Sequence, residues 1–491
     1  MRVDPLFGTL EDFDALVARA HALGLRVLVD FIPGHTSSEH RWFRDSRSSR
    51  DAERSSWYVW ADARPDGTPP NNWLSFFGGS AWQWEPRRGQ YYLHHFHRGQ
   101  PNLNLAHPEV VEAQIAQATF WLERGVDGLR LDAVPTAAHD PELRDNPVQD
   151  RPDAAVDMGG NGANPILCQR PDRSFDQPHL MPFLERLRSA TDGIRPDALL
   201  MGEVGNVDSL AVSAKYTASG RHLHSCYHFL LLQDRLDAPL VRAVAARTEA
   251  ALARGGAVAW ATGNHDVVRL ASRYRSLGDP ALDAARARAA FALFASLRGG
   301  LCLYQGDELG LPEAALAKHE LRDPYGIEFW PDFAGRDGCR TPMPWRAEPG
   351  AGFSTGEPWL PIPDGHVPLA VDAQERDPRS MLRFARALLR WRRGRAELLH
   401  GALELLPAPD PVVAFERTLG EVRTLCLFNL DASPARFVAA SPLETLFEPG
   451  VSGARPRSLP ADGRVVELAP FGVWYGARRG VAANSRAGEA P

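Results

Sequence analysis

Apolar residues fall at helical spacing from the start of the chain. Leu10, Phe13, Leu16, Val17, Ala20 and Leu23 lie three or four apart, Thr9 precedes them with Asp12 three residues on, and Gly24 follows. That predicts a helix capped by Thr9 and closed by glycine. Residues 25–31 (LRVLVDF) then form a short apolar run, which reads as a buried strand. A helix feeding directly into a strand is one repeat of an α/β fold. The pattern returns with a helix over 108–124, proline in its first turn and Gly125 at its end, followed by a strand over 128–134 (GLRLDAV). A helix over 182–190 leads to a strand over 198–204 (ALLMGEV), and runs at 226–231, 257–264 (AVAWATGN) and 300–305 (GLCLYQ) bring the strands to six. Such alternation predicts a parallel sheet with helices outside it, carried by residues 1–35 and 107–379.

Residues 36–106 interrupt the alternation as a long insertion after the first strand. It holds six of the thirteen tryptophans, namely Trp42, Trp57, Trp60, Trp73, Trp82 and Trp84. Binding residues gather in insertions at strand ends, and tryptophan faces stack on sugars, but most of these rings are expected to form the insertion's own small core. From residue 380 the pattern changes again. A helix over 380–393 is followed by short runs at 412–417, 422–429, 435–439 and 465–477, separated by turn residues. Residues 380–479 therefore read as a helix plus an antiparallel β domain, and 480–491 as a disordered tail.

Composition narrows the function classes. The chain has 491 residues, 44% apolar and 24% charged, with a formal charge of −6, so no basic excess points to nucleic acid or an anionic membrane. Cys168, Cys226, Cys302, Cys339 and Cys426 are far apart and form no CxxC pair. That argues against a disulfide framework or a zinc site, and for a reducing, cytoplasmic setting. No apolar run is long enough to span a membrane, and the residues after Met1 lack a signal peptide's apolar core.

Four polar clusters sit at the carboxyl ends of predicted strands: Asp30-Phe31-Ile32-Pro33-Gly34-His35, Gly128-Leu129-Arg130-Leu131-Asp132, Gly202-Glu203-Val204 and Asn264-His265-Asp266. In a βα barrel such ends meet at one face, where active sites lie. Glycoside hydrolysis needs a pair of carboxyl groups, one nucleophilic and one donating a proton. Alone, each cluster reads as well as a helix cap or a turn; the ordered set is the specific signal.

In that order the clusters resemble the four signature regions of the α-amylase superfamily, glycoside hydrolase family 13. Val3-Asp4-Pro5-Leu6-Phe7-Gly8-Thr9, Gln100-Pro101-Asn102-Leu103-Asn104, Tyr304-Gln305-Gly306-Asp307-Glu308 and Gly335-Arg336-Asp337-Gly338-Cys339-Arg340-Thr341-Pro342-Met343-Pro344-Trp345 are similar to further stretches of its α-glucosidase and oligo-1,6-glucosidase branch. The resemblance implies a TIM-type (β/α)8 barrel with an inserted subdomain and a C-terminal antiparallel β domain. It implies Asp132 as the nucleophile, Glu203 as the acid/base and Asp266 as the third catalytic carboxylate. Arg130 is then the partner that keeps Asp132 ionised, His35 and His265 bind the glucose, Phe96 packs near the scissile bond, Arg340 helps close the pocket at the non-reducing end, and Asp30 is structural. Ala133 after the nucleophile resembles members that prefer α-1,4 links. No metal and no cofactor is implied, and the partner is a small neutral oligosaccharide or glucoside.

Two departures stand out. Gly34 replaces the asparagine usual before the first-region histidine, which removes side-chain support for the insertion. The family barrel also has two βα units before the Val3–Thr9 match. A barrel of about 250 residues in eight units has roughly 30 per unit, so about 60 are expected to be absent, leaving about six units. The leading expectation is a retaining exo-acting α-glucosidase. The alternatives are a glucosyltransferase or sucrose isomerase on the same scaffold, or an inactive truncated product.

Overall fold

The computed structural model describes residues 1–150, 164–447 and 463–479. They divide into two compact units, Met1–Phe229 with Leu252–Val258, and Leu230–Ala251 with the chain from Ala259 onward. The tail expected over 480–491 lies outside the described residues.

In the first unit the helix Leu10–Ala22 begins at a complete capping box, Thr9 and Asp12 each accepting from the other's backbone N–H. Strands Leu28–Phe31, Gly128–Leu131, Leu199–Glu203 and Ser225–His228 lie side by side in that order, all parallel. Helices Pro108–Glu123, Leu180–Ile194 and Ser209–Thr217 alternate with them. Leu129, Leu131, Leu200 and Val204 from the strands pack with Leu180, Leu184 and Leu187 from a helix in one buried cluster.

The first strand differs from its sequence reading. It begins at Leu28 rather than residue 25, and only Phe31 is buried, with Leu28 exposed. Among the described residues this strand pairs only with Gly128–Leu131 and is an edge of its sheet.

The insertion folds on itself. Trp60–Ala61, Gln90–Leu93 and Trp82–Glu85 form a three-stranded antiparallel sheet in that order. Trp73 and Trp82 are buried together against Val59 and Leu93. Trp42 and Trp57 meet edge to face at 4.9 Å, and Phe43 stacks on Trp60 at 5.7 Å. Of the six tryptophans Trp84 alone is exposed, so the rings serve mainly as core.

In the second unit Val258–Ala261 and Gly300–Cys302 pair in parallel, with the helix Pro280–Ser296 between them in sequence. The helix Met381–Arg393 starts where the Ser380 hydroxyl accepts from the Arg383 N–H at 3.2 Å. An antiparallel sheet follows in the order Ala402–Leu405, Val412–Leu419, Val422–Asn429, Val473–Arg478, Leu443–Phe447. Its first and last strands carry no clear alternation and were not legible in sequence. The run expected over 465–477 is two strands, because Phe471 takes a left-handed φ of 50° and turns the chain. Six parallel strands alternating with helices are βα units of a TIM-type barrel, and the antiparallel β domain completes the fold class. No helix of the described residues is long and apolar enough to cross a membrane.

Gly128 opens its strand at a φ of 155°, and a Cβ there would lie 2.1 Å from the Leu199 carbonyl oxygen. The three nearest atoms are all Leu199 backbone, which cannot swing aside as a flexible side chain can. Gly128→Ala is therefore expected to lower stability in urea unfolding by more than about 3 kcal/mol. A loss below about 1 kcal/mol would contradict this close approach.

Candidate active site

Parallel register brings the first set of polar residues together. Leu131 is opposite Gly202, so Asp132 and Glu203 emerge at neighbouring strand ends. The Asp132 N–H donates to the Phe31 carbonyl at 2.9 Å. Ala133 then turns left-handed, at φ 39° and ψ 49°, and its N–H donates to Glu203 Oε2 at 3.1 Å. That left-handed conformation is uncommon for a residue with a Cβ and disfavours a β-branched side chain.

Arg130 stands two residues before Asp132 and so on the same side of the strand. Its Nη1 donates to Asp30 Oδ1 at 3.0 Å and, by a short contact, to Asp132. Its Nη2 donates to Glu203 Oε2 at 2.7 Å, and Nε and Nη2 both donate to the Tyr227 hydroxyl, at 3.0 and 2.5 Å. One planar guanidinium thus bridges Asp132 and Glu203. Burial works against the Arg130 cation, but Glu203, Tyr227, Asp132 and Asp30 outweigh it and raise its pKa. Even with Glu203 protonated, the carboxylates of Asp30 and Asp132 outnumber the one cation and leave the cluster net negative, a field that favours positive charge developing on a bound group.

His35 lies beside this cluster. Its Nε2 is 3.1 Å from Gln100 Nε2, and its ring is tilted against Phe96 at 5.5 Å. Burial lowers its pKa against the pull of Asp132, so the imidazole is neutral and can both donate and accept. Phe96 stacks on Phe76 at 5.3 Å, and Phe76 on Phe175 at 5.8 Å. Gly34 is explained by space: a Cβ there would meet the Ala137 Cα at 3.2 Å. Backbone bonds tie the insertion down beside this glycine, Leu103 N–H to Gly34 O at 2.9 Å, Thr36 N–H to Pro101 O at 3.2 Å and Ser38 N–H to Gly99 O at 2.8 Å.

The second unit carries its own cluster past the Val258–Ala261 strand. Asn264 Oδ1 accepts from the Asp266 N–H at 2.8 Å and fixes the turn. Asp266 Oδ1 accepts from Arg336 Nη1 at 2.8 Å and Arg340 Nη2 at 3.0 Å, and Oδ2 lies 3.3 Å from His265 Nε2. Arg340 Nε also donates to the His265 carbonyl at 2.7 Å. Burial pushes the Asp266 carboxyl up, but His265, Arg336 and Arg340 together bring it below the usual carboxylate range. Arg336 is held from behind by buried Asp323, with Nη2 to Oδ1 at 2.7 Å and Nε to Oδ2 at 2.9 Å.

Asp30, Arg130, Asp132 and Glu203 are thus in mutual contact, with His35 and Phe96 alongside, and Asp266, His265 and Arg340 form a second contact set. Sequence reasoning assigned no part to Tyr227 or Arg336. Tyr227 pairs with Glu203 across strands, which sequence does not reveal. Arg336 stands four residues before Arg340 across the short turn Asp337–Cys339, a spacing that could have flagged it.

Comparisons with known proteins bear on the family. The alpha amylase catalytic domain family matches residues 1–401. The chain is 49% identical over 438 residues to a probable alpha-glucosidase of Rhizobium meliloti (strain 1021), covering 88% of this chain and 78% of that protein. It is 30% identical over 471 residues to an oligo-1,6-glucosidase of Heyndrickxia coagulans, covering 89% and 81%. It is also similar to the crystal structure of an alpha-glucosyl transfer enzyme, with a TM-score of 0.91 and 47% identity over 97% of this chain and 87% of that one.

Asp323→Asn would leave Arg336 buried with half its counter-charge. Removing one partner of a buried ion pair costs about 3–5 kcal/mol, and a loss of that order is expected in chemical unfolding. A change within about 0.5 kcal/mol would show that Asp323 does not hold Arg336.

Proposed function

The chain belongs to the alpha-amylase family and is a glycoside hydrolase of α-glucosidase type, and from that premise we propose that it is an exo-acting enzyme that cleaves short neutral α-glucosides with retention. The observation that carries the reading is the Arg130 guanidinium bridging Asp132 and Glu203. Two carboxyl groups held by one fork suit double displacement, which needs them about 5–5.5 Å apart; inversion needs a wider gap for water.

In the first step Asp132 attacks the anomeric carbon as Glu203 protonates the departing oxygen, which leaves a β-glucosyl ester. Esterification removes the charge of Asp132, so Arg130 bears more strongly on Glu203 and favours its carboxylate, the form that takes a proton from incoming water. The net negative cluster stabilises the oxocarbenium-like transition state on either side of the ester. His35 and His265 hydrogen-bond glucose hydroxyls, Phe96 packs near the scissile bond, Asp266 binds hydroxyls of the distorted sugar, and Arg340 closes the non-reducing end. The small Ala133 fits a preference for α-1,4 links such as that of maltose. Five free cysteines suit a cytoplasmic setting.

Similarity to an alpha-glucosyl transfer enzyme favours one second reading, in which a sugar hydroxyl rather than water accepts the glucosyl group. Incubation with maltose and with sucrose separates the two: two glucose per maltose consumed, or equal glucose and fructose from sucrose, mark hydrolysis, and longer or rearranged glucosides mark transfer.

The central reading is tested by variants. Asp132→Asn removes the nucleophile at nearly constant volume and is expected to abolish turnover with the fold intact. Glu203→Gln is expected to lower kcat/KM for maltose by about 10²–10⁴-fold, and far less for an aryl glucoside whose leaving group needs no proton. Equal losses on both substrates would remove Glu203 as the acid. NMR of the first-formed sugar should show the α anomer; the β anomer would rule out retention.

A further inference from the structure

Every N–H of Arg130 has an acceptor, and a residue with no assigned role takes two of them. A guanidinium offers five N–H groups in one rigid plane. Nη1 gives its two to Asp30 and Asp132, Nη2 gives one to Glu203 and one to the Tyr227 hydroxyl, and Nε gives its single N–H to the same hydroxyl. Both lone pairs of the Tyr227 oxygen are thereby used on one edge of Arg130, and the tyrosine ring lies 5.7 Å from the guanidinium carbon. Tyr227 is opposite Glu203 in the parallel register, and the Val204 N–H donates to the Tyr227 carbonyl at 3.0 Å. The two side chains therefore leave the sheet on the same side. Tyr227 is buried, and burial beside Glu203 keeps its phenol protonated.

We propose that Tyr227 is a positioning residue that fixes the rotation of Arg130 and limits Glu203 to one of its N–H groups. The proposal rests on the reading of Glu203 as the acid/base. Without the hydroxyl, the Nε and one Nη2 N–H lose their acceptor in a buried place. Glu203 already accepts the other Nη2 N–H, and a rotation of Arg130 that hands it a second N–H stabilises its carboxylate form at the expense of the acid that must give up a proton. Among the charged and titratable groups facing Glu203 are Arg130 and Asp132 from one neighbouring strand end, Asp30 beyond it, and Tyr227 from the strand on the other side. Of these, Tyr227 is the neutral one that competes with Glu203 for Arg130.

The test is the pH dependence of kcat/KM for the full chain and for Tyr227→Phe, with maltose and with 4-nitrophenyl α-glucoside. The alkaline limb for maltose is expected to fall by roughly 0.5–1 pH unit, so that above the limb maltose loses about 3–10-fold. The aryl glucoside should lose less than about 2-fold, since its leaving group needs little proton donation. A double-mutant cycle with Arg130→Lys, which lacks the Nε–Nη2 edge, should be strongly non-additive. Should the Phe variant melt below the assay temperature, 3-fluorotyrosine at 227 keeps the volume but weakens the acceptor, and should move the limb the same way by less. An unmoved alkaline limb in either variant, or additive losses in the cycle, would overturn the proposal. Failure of the acid/base reading shows separately, as equal losses of Glu203→Gln on both substrates, and would overturn both.

Discussion

A cation held among carboxylates at the ends of parallel strands is the constraint on which the site depends. Arg130 is largely out of water, and a buried guanidinium is costly unless each N–H finds an acceptor. Asp30, Asp132, Glu203 and Tyr227 supply those acceptors from four strands or strand ends. The arrangement works in both directions. The carboxylates would repel one another without Arg130, and Arg130 would not stay buried without them. Their excess of negative charge then remains available to a substrate that becomes positive in its transition state.

Around that centre the chain ties its insertion down with backbone bonds. Gly34 lies close to Ala137, where an added Cβ would stand 3.2 Å from the Ala137 Cα and require the backbone to give by a few tenths of an ångström. The insertion is nonetheless tied down by main-chain bonds from Gly34, Thr36 and Ser38 to the segment around Pro101. The Phe175–Phe76–Phe96 stack gives Phe96 a rigid backing, and His35 rests against it. Rigid backing matters because a sugar ring gains little from an aromatic face that moves. Most tryptophans of the insertion serve this stiffness from within its core.

The second unit solves the same problem with the signs reversed. Asp266 is one carboxylate under two arginines, and Asp323 behind Arg336 restores the balance. Both clusters are chains of alternating charge, which lets each member be buried while its neighbour stays ionised. Both also fix one carboxylate oxygen firmly, Glu203 Oε2 in the first and Asp266 Oδ1 in the second.

Local chemistry was legible in the sequence wherever a few adjacent residues decide it. The Thr9–Asp12 capping box, the strand at 422–429 and the helix that Ser380 caps follow from spacing and capping alone, because turns and helix ends are made by neighbours in the chain. The four polar clusters were legible for a related reason: each sits where an apolar run stops, and a parallel sheet sends such ends to one side. Sequence left open what depends on which strands pair and how closely they pack. Leu28 reads as core and is exposed, because burial depends on what covers a strand and not on its own pattern. Ala402–Leu405 and Leu443–Phe447 become strands through their partners. Tyr227 meets Arg130, and Arg336 meets Asp323, through contacts between residues 97 and 13 apart in the chain. Sequence determined which residues could carry charge and where the chain could turn; tertiary structure decided who meets whom, because hydrogen bonds between distant side chains exist only once the backbone has set their register.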